Sequence, residues 1–171
     1  NSSLQRILIV EDNDDLRNYL VDMLKTSYNI QACPNGKDAL IIIREFNPDL
    51  VISDIMMPEM SGDELCSAIK GDLEMSHIPV VLLTAQGDEK NMLEGLEIGA
   101  DAYITKPFSV GILKATIKNL LANRALLRQV YNSIEEEEHN FPVNCTNTLA
   151  LQLKYLIFSQ STIVFHILND L

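Results

Sequence analysis

Five short apolar segments recur along the chain, at residues 6–10, 28–32, 50–54, 80–84 and 102–105. The first, third and fourth are runs of aliphatic and β-branched residues with little polar alternation, which is typical of strands buried on both faces. The second segment is less apolar and predicts a strand near an edge of the sheet.

Amphipathic sequence fills the spaces between these segments. Apolar residues at helical spacing predict helices over residues 14–26, 36–46 and 89–98. Between the second and the last of these, a further helix is predicted to open at residues 60–63. That helix carries Leu65, Ile69 and Leu73 on one side, and Asn13 or Asp14 is suited to cap the first helix. Strands that alternate with helices predict parallel βαβ units and a three-layer α/β/α fold.

Polar side chains that need explanation fall where the apolar segments end. Glu11 and Asp12 follow the first segment, Asp54 ends the third, Thr84 ends the fourth, and Lys106 follows the fifth. Ligands of open parallel sheets bind outside the carboxyl ends of the strands. If the first, third, fourth and fifth strands are neighbours, these side chains converge at one edge of the sheet.

Composition narrows the classes of partner and compartment. The formal net charge of the 171 residues is −11, which disfavours direct nucleic-acid binding and suits Mg²⁺ or a basic protein surface. Cys33, Cys66 and Cys145 form neither a zinc pattern nor a disulfide framework, so a reducing cytoplasm is the expected location. No signal peptide is recognisable and no apolar run reaches the ~20 residues that a membrane span needs.

These residues together resemble the receiver domain of two-component response regulators. The matching positions are Glu11-Asp12, Asp54 with Met57-Pro58 and Gly62 after it, Thr84-Ala85, and Lys106-Pro107-Phe108. The resemblance covers residues 6–122. It implies a flavodoxin-like, CheY-like sheet of order 2-1-3-4-5, a cis peptide at Lys106-Pro107, and phosphorylation of Asp54 by the phosphohistidine of a histidine kinase or phosphotransfer domain.

The acids suit a magnesium ion, because Mg²⁺ takes oxygen ligands in octahedral geometry and keeps several waters. Asp12 and Asp54 are the expected direct ligands, with Glu11 bound directly or through water. The resemblance adds the backbone carbonyl of Met56. Three crowded carboxylates repel one another without metal, so the protein is expected to gain stability when Mg²⁺ binds.

The other positions that match the family suit the binding of a phosphoryl group. A carboxylate nucleophile such as Asp54 needs no general base, while Lys106 offers a cation and the Thr84 hydroxyl a donor to phosphoryl oxygens. Ala85 is small enough to leave room and offers its backbone amide.

Two further features concern output and lifetime. Tyr103 matches the switch aromatic of the family: movement of Thr84 toward the phosphoryl group would let it turn inward. That would alter the face of the fourth helix, fifth strand and fifth helix, through which a homodimer is expected. Met56 and Gln86, each two residues past a site residue, are expected to tune the lifetime of the phosphorylated form.

The domain organisation is read as four parts. Residues 1–5 are a cloning remnant and lead-in, 6–122 the receiver, 123–138 a helical and acidic linker, and 139–171 a tail, truncated output region or foreign segment. A helix from about Ser109 carries a short coiled-coil pattern that Arg124 interrupts: Leu113, Ile117, Leu120, Leu127, Tyr131 and Ile134. The helix and tail offer a second route to a homodimer. Residues 141–147 weakly resemble the linker before an AraC-type domain in hybrid sensor kinases.

Three other functions fit these residues less well than the receiver does. A haloacid-dehalogenase-like phosphatase also uses an Asp nucleophile, Mg²⁺ and a Lys, but needs a second Asp where this chain has Met56. A degenerate receiver that serves only for docking or dimerisation would not need Asp12, Asp54, Thr84 and Lys106 together. A flavin or nucleotide binder would need a phosphate loop where Glu11 and Asp12 stand. The chain is thus expected to be a phosphoacceptor rather than a conventional enzyme, although its parent could be a hybrid histidine kinase.

Overall fold

Five parallel strands form the centre of the protein. A computed structural model describes residues 4–85 and 99–140, with side chains described as far as residue 129. The strands are β1 (Arg6–Val10), β2 (Asn29–Cys33), β3 (Leu50–Asp54), β4 (Val80–Ala85) and β5 (Ala102–Lys106). They pair in parallel in the order β2-β1-β3-β4-β5, which confirms the predicted topology.

Helices in the described ranges are α1 (Asp14–Leu24), α2 (Gly36–Phe46), α3 (Gly62–Gly71) and α4 (Val110–Asn140). Asn13 caps α1, its side chain accepting a hydrogen bond from the backbone N–H of Leu16 at 2.9 Å. Ser61 and Glu64 form a reciprocal capping box at the start of α3. The predicted helix 89–98 lies outside the described residues, so α4 corresponds to the predicted fifth helix.

Apolar side chains cover both faces of the sheet. Alternate residues of β1 contribute to opposite layers, with Leu8 and Val10 on the side of α2 and α3, and Ile7 and Ile9 on the side of α1 and α4. Every residue of β3 is buried, as predicted for a strand covered on both faces. The sheet thereby fixes β3, and with it Asp54, at the middle of the domain.

Leu73 is the apolar residue whose placement was predicted wrongly. It was expected on the buried side of α3, but α3 ends at Gly71 and the backbone of Asp72 is extended. Leu73 therefore lies beyond the helix and is 84% exposed. Small boundary differences occur elsewhere: α1 ends at Leu24 rather than 26, and β2 is one residue later than predicted.

The chain divides into two compact units, Asn1–Leu121 and Ala122–Leu171. Within the first unit, Leu113 and Ile117 of the expected coiled-coil pattern are buried in the layer shared with α1. Within the second, Leu126 and Leu127 are more than half exposed. The predictions for the tail fall on residues 141–171, outside the described part, as do the side chains of Tyr131 and Ile134.

Candidate functional site

The carboxyl ends of β1, β3 and β5 bring residues from distant parts of the chain together. β3 lies between β1 and β4, with Val10 opposite Ser53 and Asp54 opposite Leu83. Glu11 continues β1, its backbone N–H donating to the carbonyl of Cys33 at 3.1 Å. The parallel register thus carries the predicted acids to one edge of the sheet.

Three carboxylates form a cluster at this edge. One oxygen from each of Glu11, Asp12 and Asp54 lies within 4.8 Å of the others. Glu11 is 1% exposed and Asp54 8% exposed, whereas Asp12 is exposed to solvent. Like charges at this spacing repel strongly when partly buried, so the cluster calls for a cation.

Lys106 supplies one cation to the cluster. Its Nζ lies 2.9 Å from Oε2 of Glu11 and 3.0 Å from Oδ1 of Asp54. Burial raises the pKa of Glu11, and the hydrogen bond from Lys106 offsets this only in part. Burial by itself would lower the pKa of Lys106, but its hydrogen bonds to Glu11 and Asp54 outweigh that and raise it. The lysine therefore stays charged.

The remaining negative charge fits a divalent metal ion. Three carboxylates against one lysine leave a formal excess of two negative charges at the cluster. The carboxylate oxygens of Glu11, Asp12 and Asp54 lie close enough together to share one ion, and Asp12 is open to solvent. Such oxygen donors are the ligand type that Mg²⁺ prefers.

The peptide bond between Lys106 and Pro107 is cis, as expected from the family resemblance.

The predicted phosphoryl contacts lie on the neighbouring strand. Thr84 is buried near the end of β4, and its hydroxyl donates to the carbonyl of Ala85 at 3.4 Å. Ala85 ends β4 opposite Lys106 and is exposed. Met56 lies in the loop after β3 with a side chain that is 69% exposed. Gln86 lies outside the described residues.

Tyr103 lies on β5 and is half-buried. Its ring packs against the apolar layer on the side of α3, and its hydroxyl oxygen is buried. Burial raises the pKa of this hydroxyl, and the nearby Cys66 and Asp63 raise it further. The Tyr103 side chain is therefore directed from β5 toward the interior of the domain.

Two residues shape the site in ways that side-chain chemistry alone does not reveal. A Cβ on Gly62 would lie 2.2 Å from the backbone oxygen of Asp54, so only glycine allows this approach. Arg17 of α1 donates to the carbonyl oxygens of Glu11 and Asp12. Sequence reasoning missed Arg17; the available signal was a single basic residue after a run of acids.

Comparison with known proteins identifies the family to which this fold belongs. Residues 7–118 match the family model described as the response regulator receiver domain. The chain belongs to this family. Receiver domains accept a phosphoryl group and are not conventional enzymes, and this one is a receiver domain of a two-component system. The match ends before residues 141–147, so the resemblance of that segment to an AraC-type linker stays a prediction.

Several relatives of the receiver domain are much longer proteins. "Histidine kinase P4" from Formosa agariphila is 50% identical over 127 residues, which are 74% of this chain and 9% of that protein. "Sensor histidine kinase TmoS" from Ectopseudomonas mendocina is 41% identical over 121 residues, 71% of this chain and 12% of that protein. The chain thus spans about a tenth of the length of these relatives.

Solved structures agree with the receiver fold. The signal receiver domain of a signal transduction histidine kinase from Syntrophus aciditrophicus is 40% identical, with a TM-score of 0.66 over 70% of this chain and 91% of that one. The chemotaxis response regulator CheY4 of Vibrio cholerae is 26% identical, with a TM-score of 0.64 over 69% and 99% of the two chains.

In residues 4–85 and 99–140, no helix has the length and apolar character of a membrane span.

Proposed function

We propose that Asp54 is the phosphoacceptor of this receiver domain and that its phosphorylation depends on Mg²⁺. The observation that carries the proposal is the shared contact of Lys106 with Asp54 and Glu11 inside the acidic cluster. The support is that the carboxylate proposed as nucleophile, a cation and two further carboxylates lie close together. Few structural roles require that combination.

The proposed phosphoryl transfer needs no added acid or base to activate Asp54. A carboxylate oxygen of Asp54 attacks the phosphorus of a phosphohistidine, an acyl phosphate bond forms, and the phosphorus–nitrogen bond breaks. The electron pair of that bond stays on the imidazole, which then takes a proton from solvent. Positioning and neutralisation of charge supply most of the rate in such a transfer.

The side chains of the cluster divide the work between them. Asp12, Asp54 and Glu11, with the carbonyl of Met56, would hold the metal ion, which when bound offsets the charge of the incoming phosphoryl oxygens. Lys106 is near enough to Asp54 to donate to a phosphoryl oxygen, and its raised pKa keeps it protonated.

Residues of β4 would complete the binding of the phosphoryl group. The Thr84 hydroxyl makes only a long contact with the carbonyl of Ala85, so it can exchange that bond for one to phosphate. The small side chain and backbone N–H of Ala85 suit a nearby oxygen. Gln86 and Met56 would tune hydrolysis of the acyl phosphate.

The donor we propose is a histidine kinase or a phosphotransfer domain, acting in the cytoplasm, where Cys33 and Cys66 stay reduced. Residues 6–122 would form the receiver and residues 123–138 a linker to an output region. Tyr103 would report the state of Thr84 to the face that contains β5, and dimerisation through that face or the C-terminal helix would follow. The output activity would belong to the longer protein.

Phosphorylation can be tested with a small donor. The protein is incubated with Mg²⁺ and acetyl phosphate, and the intact mass is measured for wild type, Asp54→Asn and the surface control Asp22→Asn. We expect a single phosphoryl adduct on wild type and Asp22→Asn, none on Asp54→Asn, and none when EDTA replaces Mg²⁺.

The same measurement separates the alternative of a receiver that only docks. A docking module would gain no adduct under any of these conditions, and an adduct that persists in Asp54→Asn would place the acceptor elsewhere. Added Mg²⁺ should also raise the melting temperature of the wild type, because a ligand that binds only the folded state stabilises it.

A further inference from the structure

Arg17 contacts the backbone of the acidic loop formed by residues 11–13 between β1 and α1. Its Nη1 donates to the carbonyl oxygen of Glu11 at 2.7 Å and to that of Asp12 at 3.3 Å. Its Nη2 forms an ion pair with the carboxylate of Asp14. One guanidinium thus holds the backbone of both acidic residues that precede α1.

The contacts suit arginine and not lysine. A guanidinium presents several donors in a rigid plane, whereas an ammonium is a compact point charge on a flexible stem. The Arg17 side chain is 19% exposed, so its hydrogen bonds are partly shielded from water. Without Arg17, the carbonyl groups of Glu11 and Asp12 would have no guanidinium donor.

Arg17 contacts the loop whose backbone carries Glu11 and Asp12. Glu11 is fixed independently: its Oε2 accepts from Lys106, and its Oε1 accepts from the N–H of Asn13 at 3.3 Å. Among the described residues, none forms a hydrogen bond with the carboxylate of Asp12, and the Asp12 side chain is exposed. Of the three clustered acids, Asp12 therefore depends most on its backbone for position.

We propose that Arg17 is a positioning residue that holds the backbone of Glu11 and Asp12 so that the carboxylate of Asp12 meets those of Glu11 and Asp54. This inference rests on the proposed function, in which these acids hold Mg²⁺. Arg17 does not contact the metal or the phosphoryl group. Groups that orient metal ligands typically contribute a 10- to 100-fold effect on metal affinity.

Electrostatics alone predicts the opposite result, which makes the proposal testable. Arg17 is a cation close to a site for another cation, so its loss should strengthen Mg²⁺ binding if only charge mattered. If positioning dominates, its loss should weaken binding. The sign of the change in the Mg²⁺ dissociation constant therefore decides between the two effects.

The experiment measures the Mg²⁺ dissociation constant by amide NMR for wild type, Arg17→Ala and Arg17→Lys. We expect Arg17→Ala to raise that constant by about tenfold. Arg17→Lys keeps the charge but loses the planar donor set, so we expect an intermediate increase. In EDTA, the amide of Asn13 should exchange with solvent faster in both variants than in wild type, which reports the loop without metal.

Two control variants isolate the carbonyl contacts. Asp14→Asn removes the ion pair but leaves the bonds to Glu11 and Asp12, so its dissociation constant should stay within about twofold of wild type. Arg44→Ala removes an exposed pair with Asp72, far along the chain from the loop, and should behave like wild type.

The outcomes are distinct. Weaker Mg²⁺ binding in both Arg17 variants, with a phosphorylation rate that recovers at saturating Mg²⁺, supports the positioning role. Unchanged or tighter binding in Arg17→Ala overturns it, and wild-type affinity in Arg17→Lys does so even if Arg17→Ala does not fold. Absence of Mg²⁺ binding or of an adduct in wild type would instead overturn the proposed function.

Discussion

The two ends of the sheet use the same ionic chemistry with opposite results. At the amino end, Lys70 donates to Asp101 at 2.7 Å, and the same oxygen of Asp101 accepts the backbone N–H of Val80 at 2.8 Å. Arg6 and Asp49 join the starts of β1 and β3 through a backbone-to-carboxylate bond of 2.9 Å. Lys70 thus pairs with Asp101 and Arg6 with Asp49, and the formal charges of each pair cancel.

The carboxyl end is left unbalanced. Lys106 contacts Glu11 and Asp54, which cluster with Asp12, and Glu11 and Asp54 are almost fully buried. Burial of charge that is not compensated costs stability. The difference shows that this domain keeps its balanced ion pairs where strands begin and its unbalanced charge where a metal and an anion would arrive.

Replacing the lysine at each end gives the largest contrast. Lys106→Met should lower the rate of phosphorylation by acetyl phosphate by about 100-fold or more, because the fixed cation near Asp54 is lost. Lys70→Met should leave that rate unchanged in folded protein but lower the free energy of unfolding by about 2 kcal/mol, since Asp101 loses its cation. Intact mass against time and urea denaturation measure the two quantities.

The contrast depends on measuring both variants well below their melting temperatures. A large loss of phosphorylation in Lys70→Met, or none in Lys106→Met, would show that the two ends do not divide function from stability in this way.

The glycines at the two ends of α3 sharpen the comparison. Gly62 lies at the carboxyl end of the sheet, where a Cβ would meet the Asp54 carbonyl at 2.2 Å, whereas no atom of the described residues lies within 4 Å of a Cβ on Gly71. Gly62→Ala should therefore destabilise the protein by about 3 kcal/mol and slow phosphorylation. Gly71→Ala should stabilise it by about 0.5 kcal/mol. Chemical denaturation of both variants tests this, and equal effects would remove the distinction.

The smallest expected effect concerns pH. Burial raises the pKa of Glu11 above its ordinary value of 4.5, so the folded state binds this proton more tightly than the unfolded state. The resulting stability is complete below 4.5 and is lost as pH rises through the higher pKa of the folded state. In EDTA, wild type should therefore lose stability relative to Glu11→Gln over that range. Urea denaturation at a series of pH values measures the difference, and a gain by wild type would contradict it.

Much of the fold follows from local features of the sequence. The apolar run at β3 predicts a strand buried on both faces, because side chains that alternate between two faces must all be apolar to be buried. The helix starts were also recognisable, since Asn13 and Ser61 are residue types that satisfy free N–H groups. Leu73 was misplaced because its spacing fits a helix whose end is set by Gly71 and Asp72.

The sequence indicated which residues belong to the acidic cluster and its lysine, but not which of their side chains are in contact. Glu11, Asp54 and Lys106 stand at strand ends, and parallel strands present those ends at one edge. Glu11 and Lys106 are 95 residues apart, however, so no local pattern shows that their side chains touch or that Glu11 is buried.

By itself, the sequence determined the alternation of strands and helices and the residue types at each strand end, because these depend on periodicity and short-range propensity. Only the tertiary structure decided which acids share Lys106, how closely Gly62 approaches Asp54, and that Arg17 donates to the carbonyls of Glu11 and Asp12. Those contacts depend on register between strands and on packing between helices and loops, where a shift of about one residue would redirect every side chain.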